Sequence, residues 1–471
     1  MVGAVVRQNL LLRNVLRGLD TQRSPQESLS QAQQVMPADQ TGDRARRRIT
    51  RRIMPFLFLL YVIAYLDRVN VAYAALEMTQ ALGFTAKVFG FGAGIFFVGY
   101  CLLEIPGTLL VEKWSARKCF ARIMIVWGIL AILTGFIHTS TQFYWVRFLL
   151  GAAEAGFFPG MIVYLGHWYR YEDRAKAVAM FMVAVPISNI FGAPVSGLIL
   201  GIHWIGIAGW RWLFILEGIP AIVFGVVTIV YLTDWPHQAK WLPQDERDWI
   251  TGELEKEKRA KLAARPYSIL QALRNREVIL LTLAYFFIVT SQYGFNVWIP
   301  TIVKSISGAS NFTVTLIAAL PYCAALAALL MVGWSSDRTQ ERRWHTAGCM
   351  LVAGAGLFLS VLAHGNTALE VSMFCIAGAG MYGYLGGFWA LPSSFLSGTA
   401  AAASIGLINS LGNLGGFAGP YIVGYISNKT GSFFGGMLYL SVSAVVAAGM
   451  IVSLREAGQK RVQSSDLLGR D

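Results

Sequence analysis

The chain has 471 residues, 55% hydrophobic and 14% charged, with a mean hydropathy of +0.52. Soluble proteins carry about 25% charged residues, so a water-soluble globular enzyme is excluded. The net charge of +13 invites a nucleic-acid partner, but the placement of the basic residues described below excludes that too.

Residues 1–44 read as a disordered tail, Gln- and Ser-rich from Ser24 to Gln40 and without the apolar core of a cleaved signal peptide, with a short basic amphipathic helix over 2–19 as the alternative. The run Arg44 to Arg52 (RARRRITRR) reads as an anchor against anionic lipid. Twelve apolar stretches follow, near 53–76, 88–111, 119–138, 142–166, 176–201, 211–232, 278–303, 312–334, 345–364, 370–395, 403–427 and 432–454. Each is long enough for a membrane-spanning helix, so the fold class is an all-α membrane protein with twelve transmembrane helices. One long polar insert, 234–277, parts a six-helix half at 45–233 from another at 278–455, and 456–471 forms a polar tail. Trp241, Trp249, Ile250 and Leu254 among the charges of the insert suggest short amphipathic helices on the membrane surface.

With the amino terminus inside, the inner loops hold eighteen basic residues, including Lys113, Arg117, Lys118, Arg170, Arg174, Arg338, Arg342 and Arg343. The outer side holds four, Lys87, Arg211, Lys304 and Lys429. That asymmetry places both termini in the cytoplasm. The five cysteines lack CxxC or CxxH partners and read as packing residues. The six histidines fall near helix ends or in loops, which does not suggest a histidine proton relay. No Ser–His–Asp set or metal-ligand cluster appears, so neither catalysis nor a metal or other cofactor is expected.

Four charges stand inside the apolar stretches: Asp67 and Arg68 in the first, Arg147 and Glu154 in the fourth. A charge at bilayer depth costs roughly 2.5–3.5 kcal/mol on insertion scales and is usually paired or functional. Arg147 and Glu154 are seven residues apart and share a helix face. Gly151 and Gly156 beside them would let another helix approach. Asp67 and Arg68 are adjacent and point about 100° apart, so each needs a partner on another helix. Glu104 and Glu217 are further intramembrane acids, read as structural, the second pairing with Arg211.

The halves repeat. Glu112-Lys113-Trp-Ser-Ala-Arg117-Lys118 follows the second stretch, and Asp337-Arg338-Thr-Gln-Glu-Arg342-Arg343 follows the eighth, 225 residues on. Gly192-Ala-Pro194 and Gly419-Pro420 are offset by 226 at their prolines. An acid followed by bases after the second and eighth helices resembles the cytoplasmic signature of the major facilitator superfamily, although Glu112, Lys113 and Ala116 depart from its usual Asp, Arg and Gly. The segments LDRVN (66–70), GYCLLEIPG (99–107) and GAAEAGFFPG (151–160) resemble the anion:cation symporters of that superfamily, carriers of tartrate, sugar acids, phthalate and hydroxyphenylacetate. The resemblance covers roughly 45–455.

It implies two pseudo-symmetric halves around a midplane site, with the first and fourth helices meeting there. It makes Asp67 and Glu154 the proton-linked acids. Arg68 and Arg147 would contact the substrate carboxylate or hold those acids. Tyr65, Tyr100, Trp389 and Asn413 match substrate-binding positions, and Ser393 and Asn409 are polar neighbours that would orient a substrate. Glu112, Lys113, Arg117, Asp337, Arg338 and Arg342 would form the cytoplasmic gate. With all four central charges ionised the set is neutral. A substrate carboxylate that takes an arginine leaves an acid without its counter-charge, and a proton restores neutrality, which is the thermodynamic content of symport.

The expected function is proton-coupled import of a small organic anion, a tartrate-like dicarboxylate or sugar acid, across a bacterial inner membrane by a monomer. The alternatives are an aromatic carboxylate of the phthalate or hydroxyphenylacetate kind and, less favoured, a drug-efflux antiporter. Two cavity arginines would repel cationic drugs. A non-transporting sensor on this fold is a further reading.

Overall fold

The computed structural model describes residues 25–262, 274–392 and 398–454. The tail readings at 1–24 and 456–471, part of the insert, and Ser393 lie outside the described residues. Seventeen α-helices are described: α1 (Pro25–Ala81), α2 (Ala86–Lys113), α3 (Ala116–Thr134), α4 (Ser140–Glu154), α5 (Phe157–Trp168), α6 (Tyr171–Met182), α7 (Ala184–Leu200), α8 (Gly209–Tyr231), α9 (Gln244–Leu262), α10 (Arg276–Ser307), α11 (Asn311–Thr339), α12 (Arg343–Leu362), α13 (Thr367–Gly383), α14 (Leu385–Phe388), α15 (Gly398–Gly412), α16 (Gly415–Thr430) and α17 (Phe434–Val452). Residues 25–40, expected as tail, continue α1 instead.

Among the described residues ten helical stretches are long and apolar enough to cross a membrane. Two of the twelve expected spans differ for readable reasons. The third begins with Arg117, Lys118 and Arg122 within seven residues of the start of α3, too many charges for a plain apolar window. The eleventh is divided between α15 and α16 around Asn413 and Leu414.

Caps set several helix starts. Thr85 accepts from Val88 N–H at 3.3 Å, and Ser115 from Lys118 N–H at 3.3 Å. Thr139 and Gln142 form a reciprocal capping box at the head of α4. The fourth span is broken at Gly156, whose φ of 84° suits a residue without a Cβ. Glu154 is therefore the last residue of α4, beside the kink.

Glycines make the repeat visible in three dimensions. A Cβ at Gly151 would overlap the Phe96 carbonyl, and one at Gly378, 227 residues on, would meet the Pro321 carbonyl at 2.6 Å. Gly128 abuts α8 as Gly354, 226 residues on, abuts α17. Gly192 against Leu66 is matched by Gly419 against Thr290. The third, fourth and fifth helices of each half are thus seated by equivalent close approaches. Gly151→Ala is expected to cost about 1–3 kcal/mol by overpacking, read as a lowered thermal midpoint in detergent. An unchanged midpoint would show that α2 and α4 can separate freely.

Between the halves the tight contacts lie at the end away from the basic loops. A Cβ at Gly90 would meet the Pro420 carbonyl at 2.5 Å, and one at Gly94 the Phe417 carbonyl at 2.8 Å. Asn311 donates to Glu77 at 3.1 Å. At the basic-loop end, polar contacts between halves reduce, among the described residues, to Asn409 with Glu104 and Cys101 with Ser410.

The insert forms α9, which docks on the first half. Ile250 is buried, Glu246 and Asp245 pair with Arg48 (3.1 Å) and Arg44 (2.9 Å), and Glu253 and Glu257 pair with Arg170 (3.6 Å) and Arg174 (3.1 Å). Arg46 pairs with Asp43 and Asp173. The Arg44–Arg52 run is therefore only partly available to lipid, because acids on α9 and α6 take three of its arginines.

Candidate functional site

The residues that bring α1 to α4 are the intramembrane charges. Arg68 donates through Nη2 to Glu154 Oε2 at 2.7 Å, with both side chains largely buried. Its guanidinium lies 5.3 Å from the Tyr100 ring centre, 5.4 Å from Phe96 and 5.9 Å from Tyr65. Three aromatic faces thus hold the cation and favour it electrostatically.

Asp67 and Arg147 behave differently. Asp67 is buried, and its Oδ1 accepts from Asn70 Nδ2 at 3.0 Å, so its partner lies one turn along α1 rather than on another helix. Arg147 is 2% exposed, lies 5.0 Å above the Phe96 ring, and forms no ion pair among the described residues. Its Nε and Nη1 have no hydrogen-bond partner, and neither does Asp67 Oδ2 or Glu154 Oε1. A buried guanidinium without an ionic partner costs several kcal/mol. Phe96 lies under both cations, so one ring fixes the spacing of the two arginines.

The other residues singled out in the sequence fall into separate groups. Tyr65 and Tyr100 stand beside Arg68, and Tyr65 meets Tyr61 edge-on at 5.9 Å. Trp389 packs on Tyr285 at 5.0 Å and on Phe388 at 5.3 Å, in the second half. Asn409 is buried and donates across the halves to Glu104, so its amide is already engaged. Asn413 stands at the break between α15 and α16, half-buried. Glu217 does not pair with Arg211. It accepts from Ser196 Oγ at 3.1 Å, while Arg211 donates to the Gly135 carbonyl at 2.7 Å.

A polar network in the second half was not singled out. Asn296 donates to the Tyr382 hydroxyl at 3.0 Å and accepts from the Tyr322 hydroxyl at 3.2 Å, while Tyr384 donates to Gln292 at 3.4 Å. Gln292 and Asn296 are four residues apart within an apolar helix, a spacing that puts two amides on one face and was a usable signal.

The signature residues near the basic loops are tied within each half. Arg117 lies 3.5 Å from Asp234, whose carboxylate also accepts from Ser115 Oγ at 2.8 Å and from Arg117 N–H at 2.9 Å. Arg342 pairs with Asp337 at 2.6 Å, and Arg338 lies over Trp334 at 5.4 Å. Glu112 and Lys113 are exposed and form no ion pair among the described residues. Among the described residues, Arg117 and Arg342 pair within their own halves and not with each other's copy.

Residues 57–420 match the Major Facilitator Superfamily. The chain belongs to that superfamily. A protein of Agrobacterium vitis named "Putative tartrate transporter" is 46% identical over 86% of this chain and 93% of its own length. A quinolone resistance transporter of Acinetobacter baumannii is 37% identical over 86% of this chain and 93% of its own length. Among solved structures, a D-xylose-proton symporter superposes with a TM-score of 0.68, covering 86% of this chain and 98% of that one, at 14% identity. That likeness shows the fold alone. This member of the superfamily is an integral, multi-pass membrane transporter and not an enzyme. The superfamily fold explains why α2 and α16, and α7 and α11, meet across the halves: Gly90 and Gly94 face α16, and Gly197 faces Thr315.

Proposed function

We propose that this transporter is an anion:cation symporter that imports a small hydroxy dicarboxylate or sugar acid, tartrate first among them, together with protons. The observation that carries the reading is Arg147, a buried guanidinium with two unpartnered donors beside an Arg68–Glu154 pair. A planar fork of N–H donors in a dry site selects a carboxylate. Each carboxylate that arrives adds one negative charge to the central set: a proton on Glu154 or Asp67 cancels that of a sugar acid, and protons on both cancel those of a dianion such as tartrate. The amides and hydroxyls of Gln292, Asn296, Tyr382 and Tyr384 face a substrate's hydroxyl groups from the second half.

Coupling to protons also answers the membrane potential. Importing an anion against an inside-negative potential costs about 2.3 kcal/mol per charge per 100 mV, and co-moving protons remove that cost. In this reading the basic loops and both termini lie in the cytoplasm of a bacterial inner membrane. The close packing at the opposite end is then a state open to the inside, and Glu112, Lys113, Arg117, Asp337, Arg338 and Arg342 engage across the halves only in the outward-open state. The tartrate-named relative supports the substrate class.

The test is tartrate uptake into proteoliposomes with the outside acidified. Accumulation above the outside concentration that a protonophore abolishes is expected. Uptake that merely equilibrates, with or without the proton gradient, would remove the symport reading. The quinolone-named relative favours a second reading, because quinolones are themselves aromatic carboxylates that the same arginine fork would accept. Quinolone efflux without tartrate uptake in the same vesicles would install it.

A further inference from the structure

Two adjoining cavities open at the basic-loop end, where the first, third and sixth spans meet the insert. One, of about 600 Å³, is lined by Arg52, Arg117, Lys118 and Lys240 with a single acid, Asp234. The other, of about 590 Å³, is lined by Arg44, Arg47, Arg48, Arg51 and Arg52 and by no acid. Arg52, Tyr231 and Trp241 line both.

Some of these cations are already engaged, Arg44 and Arg48 by α9 and Arg117 by Asp234. The others, Arg47, Arg51, Arg52, Lys118 and Lys240, form no ion pair among the described residues. Arg52 is held in place between the cavities, its guanidinium 4.9 Å from the Tyr231 ring and 5.0 Å from Trp241, while Tyr231 donates to its carbonyl at 3.1 Å. Like charges gathered in this way repel one another unless an anion lies among them. The neighbouring wall is apolar and outward-facing: Val230 is 85% exposed at the end of α8, and Trp114 is exposed at the end of α2. An anion bound here would therefore sit against a surface suited to acyl chains.

We propose that the paired cavities bind the headgroup of an anionic phospholipid carrying two phosphates, one in each cavity, with Arg52 between them. Two separate basic cavities joined by one shared arginine suit two phosphates better than one. The exposed apolar wall distinguishes a lipid from a soluble phosphate. Because the site contacts α1, α3, α8 and the insert but none of α10–α17, its occupant steadies the first half against the insert and leaves the central charges untouched.

The test is a thermal-stability titration of the full-length protein in neutral detergent with cardiolipin, phosphatidylglycerol, phosphatidylcholine or sodium pyrophosphate. Cardiolipin is expected to raise the midpoint most, phosphatidylglycerol less, and phosphatidylcholine and pyrophosphate not at all. The double variant Arg47→Gln/Arg51→Gln is expected to need roughly tenfold more cardiolipin for half the effect. Lys240→Gln, in the other cavity, should shift the same titration and guards against misfolding of the double variant. Equal responses to cardiolipin and phosphatidylcholine, or unchanged titrations in both variants, would overturn the proposal. A pyrophosphate response matching that of cardiolipin would overturn the lipid assignment.

Discussion

Arg147→Gln protein is expected to fold normally and to lose carboxylate binding by about a hundredfold. The two halves of that expectation come from one observation. Arg147 is buried with Nε and Nη1 unpartnered, so removing its charge breaks no direct ion pair. Deleting the charge removes a desolvation cost but leaves the two central acids one cation short; the two effects oppose each other, and the thermal midpoint without substrate should change little. The same deletion takes away a charge-assisted, two-pronged contact, worth about 2–5 kcal/mol when its partner is left buried. Arg147→Lys keeps the charge but not the fork and should fall between. The measurement is tartrate binding by calorimetry beside a melting curve. Weakened binding with a lowered midpoint would make Arg147 a packing residue. Unchanged binding would move the anion to Arg68.

The sequence treats Arg68 and Arg147 alike, and only the packing separates them. That a cross-helix ion pair must exist was legible, since charges at bilayer depth demand partners, and Arg68–Glu154 meets that demand. That Asp67 would turn to Asn70 was not, because a local amide three residues on is sterically convenient whatever the neighbouring helix offers. The break at Gly156 escapes hydropathy for a similar reason, because Phe157 and Phe158 are as apolar as a continuous span requires; the usable signal was Gly156 followed by Pro159, which suits the first turn of a new helix. Hydropathy likewise has no term for Glu104 meeting Asn409 across the halves. The repeat was legible from the offsets of Glu112 to Asp337 and of Pro194 to Pro420, and the glycines that seat the helices recur at nearly the same spacing.

Glu154→Gln is expected to separate exchange from accumulation. Glutamine keeps the shape of the side chain and an oxygen that can accept from Arg68, so the 2.7 Å contact between α1 and α4 has a neutral substitute. What it loses is the ability to carry a proton. An exchange cycle needs substrate on both sides and no net proton movement, so tartrate counterflow should continue. Net uphill transport needs a group that binds a proton outside and releases it inside. A one-unit pH gradient supplies about 1.4 kcal/mol per proton, a tenfold accumulation, and the variant should lose that factor for each proton Glu154 carries. Its rate should also lose most of its pH dependence. Asp67→Asn is the necessary companion, because Asp67 has a neutral partner in Asn70 and a free oxygen of its own. If E154Q still accumulates tartrate and D67N does not, the proton travels on Asp67, and the Arg68–Glu154 pair is a hinge clamp beside Gly156. If both variants accumulate normally, the transporter draws no energy from protons at these positions, and the coupling ion must be sought elsewhere.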